Sequence, residues 1–574
     1  MKIIRRKNES HDTLASLPPV LQNIYAARGV STLDDISYDV NSLLPYHDLL
    51  GIQEASHYLA SQIQASRRFL IIGDFDADGA TASAVAVRAL RMFGAEVDYL
   101  VPNRFEYGYG LTPAIVEVAL TRAPHVIITV DNGMSSIEGV LEAKKHGVEV
   151  IITDHHLPGR ELPNARAIIN PNQTGDLFPS KAMAGVGVIF YVMLALRRAL
   201  KDRGWFDTRG MAFPSMVELL DLVALGTIAD VVPLDHNNRI LVAQGLQRIA
   251  RGQCCPGILA LLQMAGRSYP RVVASDLSFG VAPRLNAAGR LKDMSLGIAC
   301  LLENTFEVAL PYARQLDELN KKRRAIESEM QQQALALMQD PLLGTTEGVK
   351  PATLCLYDAT WHQGVIGIVA GRMKDKAHRP TIVFADSGDG VTLKGSGRSI
   401  SGIHLRDVLD LVAQQEPGIL TKFGGHAMAA GLTIEKIHFQ AFAQAFETIV
   451  AGLLTEDHEA KIWSDGALQA PDLTLEFAQL LRASGPWGQH FSEPLFDNQF
   501  VILQQRLIGD KHLKLLLGIE QIPIALEAMA FSVDREQWPN ARAQKIHAVY
   551  RLDVHEYQNR QSLQLLVEHL EAVE

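Results

Sequence analysis

Phe69-Leu-Ile-Ile-Gly-Asp-Phe-Asp-Ala-Asp-Gly-Ala-Thr81 decides the reading of this chain. Four apolar residues run into Gly73, then Asp74, Asp76 and Asp78 alternate, and Gly79 opens the small-residue stretch Ala80-Thr-Ala-Ser-Ala-Val-Ala-Val87. That order predicts a short buried strand, a tight turn bearing carboxylates, and the start of a helix. Asp also favours turns and helix caps, but three carboxylates so close repel one another unless a cation sits among them. Hard divalent ions such as Mg2+ and Mn2+ prefer oxygen ligands. The hexapeptide matches the opening of a calcium loop too, yet the position that must carry a bidentate Glu is Val85. An EF-hand is excluded.

Outward from this stretch, strand-like runs at Phe69–Gly73, Glu96–Pro102, His125–Val130 and Val148–Thr153 alternate with helical patterns. The rhythm predicts right-handed βαβ units and a mostly parallel sheet, with ligands beyond the carboxyl ends of the strands. Ligand-type residues fall there repeatedly: Asp74, Asp76 and Asp78 after the first strand, Asp131 after the third, and Asp154-His155-His156 after the fourth. Asp230 closes the apolar run Leu225-Gly-Thr-Ile-Ala-Asp230; alone it would be a cap or turn residue. If Asp74, Asp76, Asp78, Asp131, His155 and Asp230 converge, they supply ligands for two divalent ions bridged by Asp131. Such a pair clamps both oxygens of an in-line phosphoryl displacement. His156 need not be a ligand and is expected at a phosphate oxygen.

A chain of 574 residues is expected to form two to four domains. With 47% hydrophobic and 21% charged residues it belongs to the ordinary globular class. A net charge of -10 argues against a nucleic-acid partner, but only weakly, because a local basic cleft works inside an acidic whole. The start lacks a signal-peptide pattern, and the apolar run Ala182–Leu196 is too short to span a bilayer. Cys254, Cys255, Cys300 and Cys355 show no C-x-x-C spacing, so reduced thiols, a cytoplasmic location and no membrane partner are expected.

Residues 1–67 read as a mostly helical arm, 68–304 as the acidic α/β domain and 305–345 as a connector. A second, smaller α/β domain takes 346–455 and a β-barrel of the OB type takes 456–574. In Ala282-Pro-Arg-Leu-Asn-Ala-Ala-Gly-Arg290, Arg284, Asn286 and Arg290 are framed by Pro and Gly. This predicts a fixed loop for an anion, with a solvated connecting loop as the equal alternative. Phe306–Gln339 is a polar helix of the domain-bridging kind. The second domain has strands at Ala352–Asp358 and Pro380–Ala385, a helix at Val365–Lys374, and glycine-rich stretches ending at Gly364, Ser399 and His426. Its Gly395-Ser-Gly-Arg398 is expected as a loop offering N–H groups and a guanidinium to a phosphate. No P-loop and no G-x-G-x-x-G opening a helix occurs. Short strands at Phe500–Leu507, Lys511–Ile519, Ile524–Phe531, Lys545–Asp553 and Ser562–His569 predict the barrel.

Asp74-Phe-Asp-Ala-Asp-Gly79, Val130-Asp-Asn-Gly133, Asp154-His-His156 and Gly226-Thr-Ile-Ala-Asp230 resemble the four motifs of the DHH phosphoesterase superfamily. The Ala282–Arg290 segment, Trp361-His-Gln-Gly-Val-Ile-Gly-Ile-Val-Ala370 and the terminal barrel narrow the resemblance to that superfamily's bacterial single-strand-specific 5′→3′ DNA exonucleases. The likeness runs from about residue 45 to 574, with one departure: some members begin the first motif with His where this chain has Ile72. It implies a Mn2+- or Mg2+-dependent hydrolase releasing mononucleotides in recombination and repair, with single-stranded-DNA-binding protein and a helicase as partners. It implies that Asp131, His155 and His156 are catalytic, and that Arg284, Arg290, Ser396 and Arg398 grip the strand, with Asn286 and His426 beside them. Arg104 is expected to form part of a stop for the 5′ end, and a groove between the two α/β domains is expected to admit one strand. Two alternatives stay open: a phosphodiesterase acting on short oligonucleotides or nucleotides, and a non-catalytic DNA-binding scaffold of the same fold.

Overall fold

The computed structural model describes residues 2–7, 12–103, 106–339, 351–455, 460–509, 511–557 and 560–573. Two compact units divide the chain. The larger comprises Ile3–Asp317 and Trp463–Glu574; the smaller is built from Glu318–Ile462. None of the described helices is long and apolar enough to cross a membrane.

After β1 (Lys2–Arg5), the larger unit builds a five-stranded sheet from β2 (Arg68–Gly73), β3 (Glu96–Leu100), β4 (Val126–Val130), β5 (Glu149–Thr153) and β6 (Ala167–Ile169). All pairs are parallel and the order is β3-β2-β4-β5-β6, so β4 is central. Strands buried on both faces must be apolar throughout, and Val126-Ile-Ile-Thr-Val130 is fully buried. One face packs Leu70, Ile72 and Ile127 against Ile115 and Val140 of the helices Pro113–Leu120 and Ile137–Lys145. The other meets the helix Ala77–Met92, whose alanines lie against the helices Gly185–Asp202 and Leu220–Ala229. That contact demands small residues: a Cβ on Gly226 would lie 2.2 Å from Thr81 Oγ1 and 2.8 Å from Asp78 Oδ1.

The segment expected as an anion-binding loop is instead a helix, Ala282–Leu291. Pro283 occupies its first turn, where no N–H is needed. Gly289 is set by contact rather than by a turn, since a Cβ there would lie 1.8 Å from the Phe75 carbonyl oxygen.

The smaller unit carries most of the helix Phe306–Gln339 and a mixed sheet ordered β10-β11-β9-β8-β7. Its strands are β7 (Leu354–Tyr357), β8 (Thr381–Asp386), β9 (Thr392–Arg398), β10 (Leu420–Gly425) and β11 (Ala429–Glu435). Gly395-Ser-Gly-Arg398, expected as a loop, lies in β9, and most of Phe423-Gly-Gly-His426 lies in β10. The glycines are packing glycines: Cβ atoms at Gly395 and Gly397 would press on Phe384 and Leu405. Alternation turns Lys394, Ser396 and Arg398 to the opposite face.

Beyond β12 (Lys461–Ser464), the strands β13 (Phe496–Ile508), β14 (His512–Ile519), β15 (Ile522–Ala530), β16 (Lys545–Tyr557) and β17 (Arg560–Val573) close a barrel in the order β13-β14-β15-β17-β16. The N-terminal arm ties this barrel into the larger unit. Arg28 forks onto Asp465 at 2.7 and 2.9 Å, donates to the Ser492 carbonyl at 2.7 Å and lies over the Trp487 ring. Both charged side chains are buried, 1% and 3% exposed. Removing one partner of such a pair leaves the other charge stranded, at about 3–5 kcal/mol. Arg28→Ala is therefore expected to lower the first thermal unfolding midpoint by several degrees in calorimetry. An unchanged midpoint would show that the arm does not hold the barrel.

Candidate metal centre

The parallel strands deliver their carboxyl ends to one edge, and the acidic residues gather there. Asp76 caps the helix Ala77–Met92 by accepting from Gly79 N–H at 3.0 Å. Asp78, in its first turn, accepts from the Gly185 and Val186 amides at 2.6 and 3.0 Å. Asp74 and Asp131 follow β2 and β4 and are buried. Asp230 ends the helix Leu220–Ala229. Asp131 and Val231 adopt left-handed backbones, both at φ 61°, a strain that bulky residues accept where surroundings fix them, often at functional sites.

Three overlapping groups bring ligand atoms within 4.8 Å of one another: Asp74, Asp76 and Asp131; Asp131, His155 and His156; and Asp78, His155 and Asp230. Asp131 and His155 each belong to two of them. His155 Nε2 lies 3.1 Å from Asp131 Oδ1 and 3.5 Å from Asp230 Oδ2. Both Nε2 and Asp131 Oδ1 are buried without a hydrogen bond among the described residues. Two such atoms facing a shared point are costly unless a cation occupies it. The donor set, oxygen-rich with imidazole, suits Mg2+ or Mn2+.

The electrostatics agree. Burial, then the neighbouring charges of Asp230 and Asp76, push Asp78 up to about 7. Burial and Asp76 do the same to Asp230. Asp131 is raised well above the carboxylate range by burial and by Asp78, Asp76, Asp74 and Asp230. Burial and the neighbouring His156 lower His155, keeping its ring neutral and able to ligate. For His156, burial opposes the charge, but the hydrogen bond to Asp154 and its charge win and lift it to about 9.

Asp154, unassigned in the sequence reading, organises this corner. Its Oδ1 lies 2.7 Å from His156 Nδ1 and accepts from the His155 and His156 amides; its Oδ2 accepts from Met134 N–H at 2.9 Å. Tyr109 was missed altogether: its hydroxyl lies 3.3 Å from both the Asp131 carbonyl and His156 Nδ1. The only signal was an aromatic in Tyr107-Gly-Tyr-Gly110 between β3 and the next helix. Ile72 is buried in the apolar cluster beneath the sheet, so the first motif offers its three Asp residues alone.

The residues expected at a strand's phosphates are placed unequally. Asn286 accepts from Ala77 N–H at 2.8 Å and braces the first motif. Arg284 is buried, paired with Asp317 at 2.8 Å and donating to the Gly280 and Met264 carbonyls, so it points inward. Arg290 is in the last turn of its helix, half-buried. Arg104 lies outside the described residues. In the smaller unit, Arg398 donates to Ser396 Oγ and the Gly397 carbonyl, and no carboxylate pairs with it among the described residues. Burial lowers its pKa. Gly367, in the first turn of the helix Ile366–Ala377, has no room for a Cβ, which would meet Ser396 Oγ at 2.8 Å and Arg398 Nη2 at 3.1 Å. His426 is exposed, at the turn between β10 and β11.

Family models match three segments: the DHH family N-terminal domain at residues 68–227, the DHHA1 domain at 350–452 and the RecJ OB domain at 464–569. The chain is 51% identical over 568 residues to the single-stranded-DNA-specific exonuclease RecJ of Dickeya dadantii, covering 99% of this chain and 98% of that one. It is 50% identical over 568 residues to the enzyme of the same name from Escherichia coli, with the same coverage. Among solved structures, RecJ of Thermus thermophilus in complex with Mn2+ superposes with a TM-score of 0.81 at 28% identity, covering 100% of this chain and 79% of that one.

Asp78 and Asp230 titrate near 7 in the metal-free fold and near 3.8 when unfolded. A raised carboxyl pKa means that stability is full below the unfolded value and declines as pH rises through the folded one. The metal-free protein is therefore expected to lose thermal stability between about pH 4 and pH 7 at this site. Mn2+ should raise the melting temperature more at pH 8 than at pH 6, because binding must displace protons. Equal Mn2+ shifts at both values would contradict the assignment.

Proposed function

The chain belongs to the RecJ family of DHH proteins, and on that premise we propose that it is a metal-dependent exonuclease hydrolysing single-stranded DNA 5′→3′ to mononucleotides. The observation that carries this reading is the pair of buried atoms without hydrogen bonds, Asp131 Oδ1 and His155 Nε2, within a ring of carboxylates. Two ions are the natural complement, because Asp131 and His155 each face two ligand groups. Bound there, Mn2+ or Mg2+ supplies positive charge to the scissile phosphodiester and acidifies the attacking water.

The protein's own residues do the rest. Asp154 holds the His156 ring and keeps it protonated, presenting a cation to a phosphoryl oxygen as charge develops. Tyr109 fixes the Asp131 backbone and flanks the same ring. Asn286 and the Gly289 contact hold the first-motif turn. Arg398, Ser396 and the close backbone at Gly367 form a cradle that suits a phosphate, because a half-buried guanidinium with no carboxylate partner among the described residues favours an anion. Arg290 and His426 are proposed as further backbone contacts; Arg284, paired internally, is not. The barrel is proposed to bind the single strand. By family, a single-stranded-DNA-binding protein and a helicase would present the substrate during recombination and repair.

End-labelled single- and double-stranded DNA, digested with Mn2+, Mg2+ or chelator, tests this reading. Wild-type protein is expected to release mononucleotides from the 5′ end of single strands and to require the metal. Asp131→Ala should lose several orders of magnitude in turnover while keeping its fold. Arg398→Ala should raise KM strongly at moderate salt, and less at low salt. Digestion from the 3′ end, or near wild-type turnover of Asp131→Ala with Mn2+, would overturn the proposal.

A further inference from the structure

A cavity of about 650 Å3 lies within the larger unit between the catalytic sheet domain and the barrel. Thr227 and Val231, on either side of the ligand Asp230, form part of its wall, so it adjoins the metal centre. Phe279, 67% exposed on the single π-helical turn Asp276–Val281, stands at its mouth. Across from it, β16 and β17 run past the barrel. Beyond Tyr550 and before Leu565 they pair only with each other among the described residues, forming a two-stranded arm.

Arg482 and Arg551 line this cavity, Arg271 precedes its wall residue Val272, and each of the three is held by carboxylates. Arg271 pairs with Glu556 on the arm, Arg551 with both Glu493 at 2.9 Å and Glu568, and Arg482 with Asp276 at 3.8 Å, where Arg267 approaches the same carboxylate at 3.4 Å. Arg551 Nε has no hydrogen bond among the described residues. The arginines are 30–44% exposed, so the pairs with Glu556, Glu493 and Glu568 contribute little stability and exchange readily, whereas Asp276 is buried.

We propose that Arg271, Arg482 and Arg551 are a phosphate track for the single strand, kept occupied by Glu556, Asp276, Glu493 and Glu568 until the strand displaces them. The inference rests on the exonuclease reading and deepens it. The strand is the occupant because the cavity adjoins Asp230, its lining is largely apolar and includes Phe279 and Trp487 as unstacked bases require, and Arg482 and Arg551 on its wall are partly exposed. Carboxylate-for-phosphate exchange also gives a physical account of how a chain of net charge -10 admits a polyanion without standing open to every anion.

The exchange predicts a thermodynamic signature. A strand that neutralises an arginine already paired frees a carboxylate, which takes up a cation and offsets the counterions released from DNA. Removing the carboxylate should therefore tighten binding and steepen its salt dependence, by about 0.7 in log-log slope per phosphate contact on a single strand. A labelled oligothymidine, bound to the full chain in chelator and followed by anisotropy against salt, reads both quantities. Glu556→Gln, and Glu493→Gln combined with Glu568→Gln, are expected to raise affinity severalfold with a steeper slope, and Arg271→Gln to lower it severalfold. If these contacts only fasten the arm, Glu556→Gln and Arg271→Gln will shift affinity in the same direction, which overturns the proposal. Unchanged affinity in all three variants, or polyglutamate competing more strongly than an unlabelled strand, overturns it too. Metal-dependent digestion by the wild-type protein is scored separately, so the exonuclease reading can stand while the track falls.

Discussion

Mutual repulsion among carboxylates buried at one sheet edge is the constraint on which the rest of this structure depends. Asp74, Asp78 and Asp131 are withdrawn from water, and Asp76 and Asp230 crowd them. Such a group is stable only with protons or cations among its members. The fold bears this cost through rigidity. The helix Ala77–Met92 is made of small residues so that its neighbours approach closely, and the Gly185 and Val186 amides lock Asp78. Left-handed backbones at Asp131 and Val231 aim the flanking ligands.

The two histidines show how one dipeptide takes two roles from its surroundings. His155, deeply buried beside a charged ring, stays neutral and turns Nε2 toward Asp131 and Asp230. His156, fastened through Nδ1 to Asp154, stays protonated. A neutral ligand and a cationic contact on adjacent residues separate metal binding from charge stabilisation. The smaller unit carries a different device, a half-buried guanidinium with hydroxyl and carbonyl partners and no carboxylate among the described residues. The first site is acidic and suits cations; the second is proposed to take an anion.

Much of this was legible in the sequence, because period and spacing encode it. The parallel strands, the helix Phe306–Gln339 and the five barrel strands followed from alternation and turn residues. The acidic residues that the fold brings together were marked by their position after apolar runs. What escaped depended on contacts made across long separations. Glycine at positions 395 and 397 looked like loop chemistry, but it answers the pressure of Phe384 and Leu405 on a strand. Pro283 and Gly289 looked like loop framing, yet one sits in a helical first turn and the other yields to the Phe75 carbonyl. Arg284 looked like an anion contact until Asp317, 33 residues on, took its guanidinium. Asp154 was read only as part of a motif, because its bond to His156 is visible only in three dimensions.

The central claim is that the ring around Asp131 and His155 is a divalent metal centre. Anomalous X-ray diffraction from crystals soaked in Mn2+ tests it most directly. The account predicts anomalous density within coordination distance of both Asp131 Oδ1 and His155 Nε2, at a position that also engages carboxylates of the first motif or Asp230. Mn2+ density confined to surface carboxylates, with none at this ring in an intact fold, would contradict it.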